Sequence, residues 1–187
     1  MSSRRNLVRI ATAAALVVAP LALASPAHAQ AAAQSAKLDD PTIVAIFDAA
    51  NTWDIETGTM AEKKGTTKEV RDYGEMIARD HKAVRQLGRD LATKLGVTPT
   101  PPKNFAMAKD YAAAVSKLQA TNGKTFDRAF LQHEVAFHKA VIDAINTTLL
   151  PSLQNQEVKD LVKKVAPAFE AHMAAAQNLL DKSVATR

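Results

Sequence analysis

The 187 residues carry 24 Lys and Arg against 19 Asp and Glu, include one Trp and two Tyr, and contain no cysteine. Interleaved charges without a basic run argue against a nucleic-acid surface. The missing cysteines exclude disulfides, thiolate metal ligands and a lipidated N-terminal cysteine.

Residues 1–29 read as an export signal and not as part of the fold. Arg4, Arg5 and Arg9 form a basic start, Ile10 to Ala24 is an apolar run too short to span a bilayer, and Ala27-His28-Ala29 is a small-x-small cleavage pattern. The adjacent arginines followed by Asn6, Leu7 and Val8 also fit a twin-arginine signal, the alternative being an ordinary secretory one. Removing the three arginines from the 24 basic residues leaves 21 against 19 acidic, a net charge of +2. No later stretch approaches the ~20 apolar residues of a transmembrane helix. The mature chain is therefore expected to be soluble, in the periplasm or outside the cell.

A flexible tail is expected at 30–37 and one domain at 38–187, long enough to bury its own core. Asp40 with Pro41 opens a first helix, whose Ile43, Ile46, Phe47, Ala50, Trp53 and Met60 recur at helical spacing until Gly65. Thr66 with Glu69 forms a capping box for a second helix, carrying Val70, Tyr73, Ile77, Val84, Leu87, Leu91 and Leu95 and stopping at Gly96. Pro99, Pro101 and Pro102 then make a stiff connection, followed by a short helix at about 105–120. A third long helix runs from Phe126 to about Leu149, closed by Pro151, and a fourth starts near Asn155, interrupted and kinked at Pro167. No strand-like alternation occurs. The pattern predicts an antiparallel four-helix bundle with a short extra helix in the crossover between helices two and three.

Polar residues on apolar stripes carry the functional signal, because burying an unpaired imidazole or carboxylate costs a few kcal/mol. His81 lies four after Ile77 and three before Val84, and His172 lies three after Phe169. Both face inward. Glu134 and His138 are four apart and share a face of the third long helix, as two ligands, a ligand with its orienting partner, or a surface ion pair. Glu56 falls three after Trp53 and four before Met60. Asp80 points about 100° away from His81, and His133 points away from His138. Each candidate alone has a structural explanation, yet three of the four histidines after the signal fall inward on three helices. A shared metal site through His81, His138 and His172, with Glu56 and Glu134 as ligands or orienting groups, follows. Imidazole and carboxylate donors suit Fe, Zn, Mn, Cu or Ni. The paired Glu-x-x-His of ferritin-type di-iron centres is absent, since Ala78, Phe130, Val135 and Phe169 stand three before the histidines. A mononuclear site or a metal-free histidine network remains.

Several segments together resemble the exported bacterial family catalogued as domain of unknown function 4142. They are Ile55-Glu56-Thr57-Gly58 with Met60-Ala61, Met76-Ile77-Ala78-Arg79-Asp80-His81, Phe126-Asp127-Arg128-Ala129-Phe130, His138-Lys139 and Pro167-Ala168-Phe169-Glu170-Ala171-His172. The resemblance covers about residues 41–182. It implies a ferritin-like helical bundle, often labelled predicted outer membrane protein, in which Glu56, His81, His138 and His172 match recurring positions. It implies no established activity. The chain shows no nucleophile elbow or phosphate loop, so an enzyme is the weaker expectation. Two functions stay open: metal storage, sensing or oxidative-stress protection, and a metal-free structural or interaction module of the cell envelope.

Overall fold

In the computed structural model, which describes residues 38–185, helix α1 (Asp40–Lys64) begins where an aspartate can cap it. Asp39 takes extended backbone angles and its carboxylate accepts from the Thr42 N–H at 2.9 Å, satisfying one of the donors that a helix start leaves free. Asp40, expected in that role, instead fills the first turn and accepts from the backbone N–H groups of Gln154 and Asn155. Helix α2 (Lys68–Leu95) is capped by Thr67, which accepts from Val70 N, and ends on Gly96 at φ +65°. The neighbouring Thr66 serves a tertiary contact: its N–H and hydroxyl both donate to the carboxylate of Asp127. The predicted signal at 1–29 and the tail at 30–37 lie outside the described residues.

Helix α3 (Ala106–Ala120) lies in the crossover, and its C-terminal carbonyls at Leu118, Gln119 and Thr121 accept from Lys64 Nζ. Helix α4 (Gly123–Ala144) follows almost at once. Pro151 does not end it cleanly. A π-turn at Ile145–Leu149 absorbs one residue and leads into the short α5 (Leu150–Ser152). Helix α6 (Gln156–Ala185) runs unbroken through Pro167. The interruption expected there does not occur. The proline costs about 3 kcal/mol in a helix interior, which the packing of a helix whose Val158, Val162, Val165 and Phe169 are all buried outweighs.

Among the described residues every regular element is a helix and none is a strand, and α1, α2, α4 and α6 pack as a bundle. Helices α1 and α2 make the broadest contact. Gly58 and Gly74 permit it, since a Cβ on either would lie 2.7 Å or less from the other's carbonyl oxygen. No described helix is long and apolar enough to cross a membrane. The core falls into two apolar clusters. One includes Ile43, Ala50, Val141, Val162 and Phe169; the other includes Ala61, Tyr73, Ile77, Phe126, Phe130 and Ala176. On every one of the four helices, buried polar residues separate them in sequence.

Candidate metal centre

That separating layer is built from helical spacing. On α1, Asn51, Asp54 and Thr57 follow one another at three on the buried side of the helix, Asn51 and Asp54 against His81 of α2 and Thr57 against Glu134 of α4. Helix α2 contributes His81, α4 contributes Glu134 and His138, and α6 contributes His172. Asp54, Glu134 and His138 are fully buried, His81 is 1% exposed and His172 7%. Phe169 packs its ring 5.0 Å from that of His81 and 5.8 Å from that of His138. The Tyr73 hydroxyl donates to the His172 carbonyl at 3.1 Å, pinning α6 against α2.

Hydrogen bonds assign a tautomer to each imidazole. The Asn51 amide donates to Phe47 O at 2.7 Å, which turns its carbonyl oxygen toward His81 Nδ1 at 2.9 Å. A carbonyl only accepts, so His81 carries its proton on Nδ1 and leaves Nε2 bare. Likewise His138 Nδ1 donates to Glu134 O at 3.0 Å, leaving Nε2, which is buried and has no hydrogen-bond partner. His172 Nε2 faces the Asp80 carboxylate at 3.3 Å and must donate, so its Nδ1 is bare. The consequence is unusual. His81 Nε2 and His172 Nδ1 lie 3.2 Å apart with a lone pair on each and no proton to share. One nitrogen from each of the three rings lies within 4.8 Å of the other two.

The carboxylates are equally unprovided for. Both oxygens of Asp54 and Oε2 of Glu134 are buried without a donor; Glu134 Oε1 alone accepts, from Thr57 at 2.9 Å. Asp54 does approach His81 Nδ1 at 3.3 Å, and Glu134 approaches His138 Nδ1 at 3.5 Å. Each of those nitrogens, however, already has a closer oxygen for its single proton. Burial pushes the Glu134 carboxyl up to about 8, and burial with the nearby Glu134 charge raises Asp54 well above its ordinary range. Burial also drives His81 down to about 2 and His138 to about 3, and lowers His172. A proton is therefore a poor occupant for the space between the rings, because it would make a buried imidazolium. A metal cation could take the same lone pairs and would offset the charge of the nearby carboxylates. Asp54, Glu134 and His138 converge within 4.8 Å as a second donor group, sharing His138 with the first. The carboxylates lie on the Nδ1 sides of His81 and His138. The three bare ring nitrogens thus form one donor group and the two acids a second one behind the rings, the two sharing His138.

The family described as domain of unknown function (DUF4142) matches residues 24–179. The chain belongs to that family. A search of curated proteins finds no match. Among solved structures this DUF4142 chain is similar to the crystal structure of a DUF305 fragment from Deinococcus radiodurans. The TM-score is 0.67 at 14% identity, over 76% of this chain and 95% of that one. At such identity the likeness speaks for the helical fold alone.

Four of the five expected site residues, His81, His138, His172 and Glu134, meet in the layer. Glu56 does not. It is exposed on α1 and accepts from the Tyr111 hydroxyl of α3. It lies two positions after Asp54, about 200° around the helix. Trp53, taken as an inward residue, packs on the edge of the apolar core beside Phe137 and is covered by α3, stacking on Tyr111 with centroids 4.8 Å apart. The sequence reading missed Asp54, Asn51 and Thr57. Counting four from Ala50, in place of three from Trp53, would have found Asp54. His133 stays off the layer, beside the Phe137 ring.

Proposed function

We propose that this chain is an exported, ferritin-like four-helix bundle holding one divalent transition-metal ion through His81, His138 and His172, with Asp54 and Glu134. One observation carries the reading: two imidazole lone pairs face each other at 3.2 Å, near a buried, unpartnered His138 Nε2 and three carboxylate oxygens without a hydrogen-bond partner. A buried polar group without a partner loses about 1–3 kcal/mol, and several in one layer call for a common partner. Two ionised carboxylates and a divalent ion leave the layer neutral. The donor set, imidazole and carboxylate without thiolate, suits Fe, Zn, Mn, Cu or Ni. Such an ion supplies Lewis acidity or, for a redox metal, one-electron chemistry.

The chain's own residues do the rest. Asn51, Asp80 and the Glu134 carbonyl hold each ring in the tautomer that turns a lone pair inward, Thr57 steadies Glu134, and the two apolar ends exclude water. Enclosure of a single ion supports retention, as in sensing or oxidative-stress protection, over bulk storage. The signal read at 1–29 supports a site outside the cytoplasm, in the periplasm or secreted. Elemental analysis of protein exported by its native host tests the reading: about one transition-metal ion per chain is expected. Metal-free protein that takes up no Fe, Zn or Cu supports the structural or interaction module of the envelope instead.

A further inference from the structure

The layer is sealed on nearly every side, and its connection to solvent runs through one ligand. His81, His138, Asp54 and Glu134 are at most 1% exposed; His172 is 7% exposed, and the Asp80 side chain touching it is 35% exposed. Asp80 uses one oxygen on His172 Nε2 and the other on the exposed Arg79, at 2.9 Å. A hydrogen-bonded line thus leads from Arg79 through Asp80 to His172, whose bare Nδ1 faces the bare Nε2 of His81 at 3.2 Å.

We infer that Asp80 is the port and the lock of the metal centre: a carboxylate that first receives the incoming divalent cation at the surface, then holds His172 with its Nδ1 lone pair turned inward. The inference rests on the metal reading above and adds the route and the residue that controls it. The chemistry follows from position. The least buried ligand is where an incoming cation can reach the layer, and among the described residues Asp80 is the part-exposed carboxylate hydrogen-bonded to it. The Arg79 contact is an exposed ion pair, easily exchanged for the cation. Once the ion is inside, the same carboxylate returns to Nε2–H, where a carboxylate partner raises the basicity of a ligating imidazole. Asp80 is thereby a positioning residue. It touches no bare nitrogen of the centre.

The test compares the metal-free mature chain with Asp80→Asn and Asp80→Glu, using Co2+ as the probe. Stopped-flow absorption should show uptake slowed by about tenfold in Asp80→Asn, and equilibrium affinity should fall by about 10–100-fold. Asp80→Glu should recover most of both. Nitrogen-15 spectra of the metal-free proteins supply a readout that a merely structural role leaves unmoved. His172 should be the Nε2–H tautomer in the wild type and a tautomer mixture in Asp80→Asn, with thermal unfolding nearly unchanged. Wild-type uptake left intact by Asp80→Asn, with the same His172 nitrogen shifts, overturns the port and lock while leaving the centre standing. Wild-type protein that binds no Co2+ overturns both.

Discussion

The apolar ends of the bundle and the polar layer between them stand on the same four helices, yet they are built to opposite rules. In the ends, Phe126, Phe130, Ile43 and Ile77 are fully buried among other carbon atoms, and each needs nothing further to be stable there. In the layer, Asp54, Glu134 and His138 are just as deeply buried and retain polar atoms without partners. The ends therefore supply folding free energy and the layer withdraws some of it. Such a layer is consistent with a fold completed by something the chain itself does not contain.

Breaking an apolar end should have the largest effect and should be indifferent to metal. Phe130→Ala is expected to lower stability by about 3–5 kcal/mol in urea unfolding, with or without an added ion. The layer should behave the other way round. Zn2+ at a hundredfold excess over its Kd should stabilise the wild type by about 2.7 kcal/mol and leave His138→Ala unmoved, since only the native layer binds it.

Acidity sharpens the same contrast. Glu134 is pushed up to about 8 from its ordinary 4.5, so the folded chain keeps a proton that the unfolded chain has lost. Its contribution is whole below pH 4.5 and disappears as pH rises through about 8. His81 and His138 are lowered from 6.5, so their contribution is whole above 6.5 and disappears as pH falls toward 3. Metal-free protein should accordingly lose on the order of 1–2 kcal/mol between pH 6.5 and 8, and again fall below pH 4.5. An ion that replaces the carboxyl protons should abolish the alkaline decline, which denaturation curves at fixed pH values will show. Metal binding should release protons below pH 8 and tighten as pH rises toward it. The smallest effect belongs to Glu56→Gln. It alters only the surface contact to Tyr111, should change stability by at most about 1 kcal/mol, and should leave metal stoichiometry intact.

Periodicity in the sequence was enough to place the helices, to turn His81, His138 and His172 inward on three of them, and to pair Glu134 with His138. What it could not supply was which side of α1 faces the other long helices. Trp53 is a large aromatic at helical spacing, but its cover is α3, so the stripe counted through it led to Glu56 and away from Asp54. The helix caps were one residue off at Asp39 and Thr67, because Asp40 and Thr66 are equally good cap types and were drawn into tertiary bonds. Pro167 misled for a different reason: a local rule about one N–H met a helix held along its length by packing. The tautomers were beyond reach altogether, since they depend on oxygens contributed by Asn51, Asp80 and a backbone carbonyl.

The ligands themselves are best tested by X-ray absorption at the edge of whichever metal the purified protein retains or takes up. Backscattering from three imidazoles, with the remaining oxygens and nitrogens at about 2.0–2.2 Å, is the expected spectrum, and His172→Ala should remove one imidazole from it. An oxygen-only shell resembling the hydrated ion, unchanged by that substitution, would contradict a centre built on His81, His138 and His172.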